Sequence, residues 1–314
     1  MTRPLGPATR DGFGDALAEL GALNSTIVVV DGDVAESTRT KKFFDKFPER
    51  AWNTGIAESN LVGIGAGLAA SGKIPVIASF ACFLMCNAYD QIRMGIAFPG
   101  LNAKLVGSHG GISAGEDGPS QMAVEDIALA CALGGFTVIV PADAASTRAL
   151  THAMIEHSGP VYMRTGRPEA PVIYETEPVV ELGKSITVLE GSDLTIIANG
   201  LMVAESLTAA EELGKEGVSV RVIDMHTVKP IDEEAILAAA RETKGIVVAE
   251  EHFAHGGLGA AVAMVVSQSA PTKMAFVNVG DTYSTSGLPQ QLFEAAGISA
   301  ADVVKACRSL TDST

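Results

Sequence analysis

The run Ile27-Val28-Val29-Val30, entered from Thr26 and closed by Asp31-Gly32-Asp33, admits few folds. An unbroken apolar run with no polar alternation predicts a strand covered on both faces, the habit of a parallel sheet between helical layers. The pattern recurs. Lys73–Ala78, Lys104–Gly107, Phe136–Val140 and Val161–Arg164 read as strands, with a short one over Arg50–Thr54. Helical patterns separate them. Arg10–Leu23 places Phe13, Leu17 and Leu20 on one stripe. The helix of Glu58, Tyr89–Phe98 with its Pro99-Gly100 stop, Val124–Leu133 and Asp143–His157 follow, while the polar Ser37–Phe44 reads as a loop with a short helix.

A Pro- and acid-rich segment, Arg167–Pro178, interrupts the alternation, which then restarts. Strands are expected at Leu194–Ala198, Val218–Ile223, Gly245–Ala249 and Met274–Val279. Helices are expected at Leu201–Glu216, Asp232–Arg241 and Leu258–Ser269, with two short ones near the end. Such alternation predicts α/β architecture: two doubly wound domains with mainly parallel sheets. A chain of 314 residues suits two domains, expected at 1–175 and 193–314 with a linker over 176–192.

The formal net charge of −15, with no dominant basic patch, argues against nucleic acid as a partner. No apolar run reaches the roughly 18 residues of a membrane span, and Met1–Gly12 lacks the apolar core of a secretory signal. Cys82, Cys86, Cys131 and Cys307 form no CxxC, and Cys82 and Cys86 lack further metal ligands nearby. Free cysteines packed in a core, in a reducing cytoplasm, are expected.

The stretch most suggestive of chemistry is Asn53-Thr54-Gly55-Ile56-Ala57-Glu58-Ser59-Asn60. A turn opens a helix whose only acid is Glu58, at its first turn. An acid there is ordinarily a solvated dipole partner, but Leu61–Ala70 is too apolar and too small for a surface helix. A carboxylate carried into such packing must be paired or do chemistry. Asp31 and Asp33 close a strand, facing the crevice where open α/β sheets bind ligands. Ser108–Gln121 is a long Gly-rich connection, which suggests function. Two other strings invite ligand readings and fail them. Gly65-Ala66-Gly67-Leu68-Ala69-Ala70 matches a loose dinucleotide pattern but lies inside the helix, not in the turn after a strand. Glu250-Glu251-His252-Phe253-Ala254-His255-Gly256-Gly257 has metal-binding residue types but no third ligand at a defined spacing, so it reads as the start of a helix.

Asn53–Ala70, Ser79–Arg93, Ser108–Asp126 and Phe136–Asp143 together resemble the pyrimidine-binding domain of transketolases, with Gly115-Glu116-Asp117-Gly118-Pro119 the most specific string. Asp224-Met225-His226-Thr227-Val228-Lys229-Pro230 resembles the family's C-terminal domain. The resemblance covers nearly the whole chain, in the family's order. It is strongest to the separate C-terminal subunits of two-part transketolases and extends to deoxyxylulose-phosphate synthase. It implies thiamine diphosphate, an electron sink for acyl carbanions. The family's catalytic acid, which hydrogen-bonds the pyrimidine ring nitrogen, matches Glu58. Phe80 and Phe83 match aromatic positions that pack on that ring, Asp33 an acid near the cofactor, and Val34 a contact to the thiazolium. Phosphate binders match Arg10, Ser37, His109 and Arg164, and Asp117 matches an acid that reads a substrate hydroxyl.

Two departures qualify the resemblance. The family's Gly-Asp-Gly…Asn motif for magnesium and diphosphate is absent, since it belongs to the N-terminal half. No metal ligands are therefore assigned to this chain. A separate N-terminal subunit is expected to hold Mg2+ and complete the active site, with self-association giving a heterotetramer. In Gly118-Pro119-Ser120-Gln121, Gln121 stands where the family has a substrate-binding histidine. Glutamine keeps hydrogen bonding but carries no proton at neutral pH. The expected activity is transfer of a two-carbon ketol unit between a ketose, as its phosphate, and an aldose. The same architecture also suits the beta subunit of a 2-oxoacid dehydrogenase or a non-catalytic paralogue.

Overall fold

The computed structural model describes residues 3–311, so the outer domain limits at residues 1 and 314 fall outside it. Seven strands form the first sheet, in the order Thr227–Lys229, Thr137–Ile139, Val161–Arg164, Lys104–Ser108, Ile74–Phe80, Ile27–Asp31, Ala51–Asn53. All pairs are parallel except the Thr227–Lys229 edge. Alternate residues of each strand enter opposite helical layers. Val29, Val76, Ala78 and Met163 pack beneath Phe13, Leu17, Leu150 and Met154. Val30, Ile77, Leu105 and Tyr162 pack beneath Leu61, Val62, Met85 and Ile127. This two-sided burial is why the strands read as continuous apolar runs.

The second sheet runs Met274–Val277, Ile246–Ala249, Leu194–Ala198, Val220–Asp224, Ile186–Leu189. Its last strand is antiparallel to its neighbour. Helix Met202–Lys215 and the terminal helix Ala300–Thr311 cover one face, and Glu233–Glu242 and Leu258–Ser269 the other. The doubly wound architecture is thus the one the alternation predicts.

Four elements depart from expectation. Ile186–Leu189, inside the segment expected as linker, is the edge strand of the second sheet. Thr227–Lys229, from the second unit, adds to the first sheet beside Thr137–Ile139, so the two units share hydrogen bonds. Leu5–Ala8 pairs with Glu169–Pro171 in a separate antiparallel ribbon. A helix over Ala81–Asn87 precedes the expected Tyr89–Phe98 segment, whose second half is a π-turn over Arg93–Ala97. All four cysteines are free; Cys82 and Cys307 are buried as expected, but Cys86 is exposed. No helix among the described residues is long and apolar enough to cross a membrane.

Close approach of helices Thr9–Leu23 and Ala144–Glu156 depends on Gly12, where a Cβ would collide with the Ala144 carbonyl. That obstacle is backbone and does not yield as a flexible side chain does. Gly12→Ala is therefore expected to destabilise the fold by roughly 1–3 kcal/mol through overpacking, measured as a lowered urea midpoint at unchanged slope. An unchanged midpoint would show that the two helices part without cost.

Candidate active site

Glu58 opens helix Glu58–Ala70 and is only 5 % exposed. The buried Ser79 hydroxyl donates to its Oε1 at 3.1 Å. Among the described residues, no protein donor meets its Oε2. Ser79 stands near the carboxyl end of strand Ile74–Phe80, so the next residue, Phe80, ends the strand beside Ser108 at the crevice. The Phe80 ring stacks on His109, centroids 4.0 Å apart, and on Phe83, centroids 6.0 Å apart.

From Phe80 the site continues into a cavity of about 490 Å³ lined by Arg10, Glu36, Ser37, Arg39, Phe80, His109, Asp117, Gln121 and Arg167. His109 is 2 % exposed; its Nδ1 meets Ser108 Oγ at 2.9 Å, and its Nε2 lies 3.6 Å from Asp117. Arg167 pairs with Asp117 at 3.2 Å and Glu116 at 2.9 Å. Arg39 pairs with Asp11 at 2.6 Å. Arg10 donates to the Ser37 carbonyl at 3.0 Å, and its Nε is buried with no protein acceptor. Burial first, then the neighbouring Arg39, draws the Arg10 pKa below its ordinary value. An anion placed among Arg10, Arg39 and Arg167 would relieve that repulsion and satisfy the orphaned donor.

The wall holding Ser37 and Arg39 is shaped by Asp31. This buried carboxylate accepts the Val34 amide at 2.7 Å, the Thr38 hydroxyl at 2.7 Å and the Thr40 hydroxyl at 2.8 Å. Burial raises its pKa, against those hydrogen bonds. The turn it organises holds Asp33 and Arg39 at positive φ, 68° and 67°. Asp33 is exposed, and its Oδ1 accepts from Asn53 Nδ2 at 2.6 Å. Asp33 and Val34 stand at the end of the same strand but do not line the cavity.

Arg164 requires a correction. The resemblance matched it to a phosphate binder, yet its guanidinium is buried and committed within the protein. It forms a two-pronged pair with Asp126 and donates to the Glu251 and Ala123 carbonyls at 2.7 and 3.1 Å. Burial opposes the Asp126 charge, but Arg164 more than offsets it and leaves that carboxyl below its usual range. Strand alternation carries the signal: Arg164 shares a face with Tyr162, whose hydroxyl also donates to Asp126. Three residues on, past the strand's end, Arg167 is the guanidinium that reaches the cavity.

Gln121 lines the cavity with its Oε1 taken by the Ser120 hydroxyl at 2.6 Å, which leaves the amide nitrogen as its free donor. His109 is a neutral group here. Burial, then Arg10, Arg167 and Arg39, push its pKa down to about 3. In nitrogen-detected NMR its imidazole is expected to stay neutral at pH 5.5; an imidazolium spectrum there would contradict this.

The residues fit one end of thiamine diphosphate. A buried carboxyl with a free oxygen and adjacent aromatic rings suit an aminopyrimidine. Glu250 and its neighbours are a helix start, as the sequence suggests: Glu250 accepts the Leu258 and Gly259 amides at 2.7 and 2.8 Å. Among the described residues, no group of three or more His, Cys, Asp or Glu is placed to hold a metal ion.

The comparisons with known proteins agree in direction. Residues 6–172 match the transketolase pyrimidine binding domain, and residues 183–303 match the transketolase C-terminal domain. The chain is 40% identical over 303 residues to a 6-deoxy-6-sulfo-D-fructose transketolase subunit of Clostridium sp. (strain MSTE9), covering 96% of this chain and 94% of that protein. It is 41% identical over 300 residues to a putative transketolase C-terminal section of Methanocaldococcus jannaschii, covering 94% of each. Among solved structures, a split gene transketolase described as an inactive beta4 tetramer superposes with a TM-score of 0.91 at 44% identity, over 97% of this chain and 98% of that one.

Proposed function

The chain belongs to the transketolase family, and on that footing we propose that it is the C-terminal subunit of a split enzyme that moves a two-carbon ketol unit from an anionic ketose to an aldose. The observation that carries this reading is the continuity of the site. Ser79 holds Glu58, Phe80 follows Ser79 in the chain, and Phe80 stacks on His109 at the mouth of the arginine-lined cavity. A ring-binding acid and an anion-binding pocket therefore stand end to end, as a cofactor with a charged sugar beside it requires.

When bound, thiamine diphosphate supplies the electron sink for breaking the carbon–carbon bond beside a ketose carbonyl. The chain's own residues do the rest. Glu58 exchanges a proton with a ring nitrogen placed against its free oxygen. Phe80, backed by Phe83, gives an apolar wall that excludes water. Arg10, Arg167 and Ser37 hold the substrate's terminal anion, a phosphate or a sulfonate, with Arg39 completing the positive field. Neutral His109 donates one hydrogen bond, Asp117 accepts from a substrate hydroxyl, and Gln121 donates where the family has histidine. Asp33 and Val34 stand toward the cofactor side of the crevice.

A separate N-terminal subunit, carrying Mg2+ and the diphosphate end, completes the site in this reading. The helix of Glu58 supports a covering partner. Its apolar residues surround it on all sides, and Ile64 remains 38 % exposed, with Ile56 just before the helix 79 % exposed. A helix apolar all round belongs in an interior. Self-association of this chain, with two N-terminal subunits, gives the proposed heterotetramer. Calorimetric titration of magnesium and thiamine diphosphate tests the division of labour. Binding is expected in the mixture of subunits and at least tenfold weaker in this chain alone; equal affinity would remove the need for a partner.

A further inference from the structure

Glu250 and Glu251 follow strand Ile246–Ala249, and both are buried. They point to different tasks. Glu250 caps the next helix of its own unit, as described above. Among the described residues, the Glu251 carboxylate accepts no hydrogen bond from its own unit. Its Oε1 accepts the backbone amide of Ser113, which lies 138 residues earlier and in the first unit. Burial raises the Glu251 pKa to about 7, with the Ser113 amide and then Arg164 working against that rise. A carboxylate kept in so dry a place at that cost calls for a role.

Its surroundings supply one. Gly111, at φ +81°, lies so close that a Cβ there would collide with the Glu251 carboxylate. At Gly110 a Cβ would collide with the Arg164 side chain. Arg164 in turn donates to the Glu251 and Ala123 carbonyls, and the Gly111 amide donates to the Ala123 carbonyl at 2.7 Å. The two glycines are thus gripped between a guanidinium of the first unit and a carboxylate of the second. His109 immediately precedes this grip. The turn Ile112–Asp117, whose second residue is Ser113, immediately follows it and ends at Asp117. His109 and Asp117 are both cavity-lining groups.

We propose that Glu251 is a positioning residue. By accepting the Ser113 amide it fixes the loop on which His109 and Asp117 meet the substrate, so the second unit sets substrate affinity without touching substrate. The kinetic arm of the test rests on the ketol-transfer reading; the exchange arm does not.

The test uses the assembled enzyme with Glu251→Ala, Glu251→Gln and Glu251→Asp. Losing a hydrogen bond to a charged group corresponds to about a tenfold effect. E251A is expected to raise KM for a ketose phosphate about tenfold, with kcat within about threefold of wild type. E251Q keeps an oxygen for the Ser113 amide and is expected to return KM to within about threefold. Should E251A fail to fold, E251D carries the test, because losing one methylene withdraws the acceptor and predicts the same rise in KM. Hydrogen exchange across residues 110–117 is expected to quicken at least tenfold in E251A or E251D and to stay slow in E251Q. Unchanged KM, a fall in kcat at fixed KM, or no rescue by E251Q overturns the proposal, as does unchanged exchange. If the wild-type assembly transfers no ketol unit, the functional reading fails and exchange alone decides whether Glu251 holds the loop.

Discussion

Glu58→Gln is expected to lower ketol transfer by the assembled enzyme about a thousandfold, within the range general acid–base groups supply, while subunit assembly persists. The two side chains have nearly the same volume and shape, so the buried position of residue 58 is filled equally well. The Gln oxygen can still accept from Ser79 Oγ, as Glu58 Oε1 does at 3.1 Å. What disappears is the ability to take up and return a proton at a ring nitrogen. A glutamine also offers a fixed N–H, which suits only one protonation state of whatever stands opposite. Steady-state transfer, with gel filtration of the mixed subunits as the control, measures both halves. Activity within about tenfold of wild type would remove Glu58 from the chemistry.

The second large effect separates two arginines three residues apart. Arg167→Ala removes a guanidinium from the cavity wall and is expected to raise KM for a phosphorylated ketose by about 10–100-fold, the worth of a charge-assisted hydrogen bond. Stability should barely move, because Arg167 is part-exposed and its pairs with Glu116 and Asp117 lie near the surface. Arg164→Ala should do the reverse. It strands the buried Asp126 carboxylate beside Tyr162 and is expected to cost about 3–5 kcal/mol of stability. Thermal melts and KM values of the two variants decide the matter. If Arg164→Ala folded normally and raised KM more than Arg167→Ala did, the assignment of the anion site would be reversed.

That exchange marks where the sequence stops being legible. Runs such as Ile27–Val30 and Leu194–Ala198 announce themselves because both faces are buried, so nearly every position is apolar, and the one exception, Thr195, is buried against the Thr243 hydroxyl. Helix starts at Glu58 and after Asp143 are equally readable, the latter because Asp143 accepts the Ser146 amide as an N-cap. Thr227–Lys229 and Glu169–Pro171 are different. Three residues carry too little periodicity, and their pairing is decided by partners far along the chain. Ile186–Leu189 alternates between half-buried and exposed positions at a sheet edge and therefore looks like linker. At the site, Glu58 stands out as the one acid opening an apolar helix, whereas Phe80, His109, Asp117 and Gln121 are legible only through the family resemblance, because contacts such as Glu58–Ser79 and Phe80–His109 join residues far apart in the chain. Arg39 and Glu36 do not. They reach the cavity only because Asp31 folds its own turn back, and nothing local in the sequence marks that carboxylate as an organiser rather than a ligand. Glu251 is still less visible, since its partner Ser113 lies in the other unit.

The most direct test of the account is reconstitution. This chain and its N-terminal partner are purified separately, supplied with magnesium and thiamine diphosphate, and assayed for ketol transfer from a ketose phosphate to an aldose phosphate, alone and mixed. The account predicts transfer in the mixture and none from either subunit alone. Equal transfer by this chain alone, or a cofactor-loaded complex that transfers no ketol unit from any ketose phosphate or sulfonate, would contradict it.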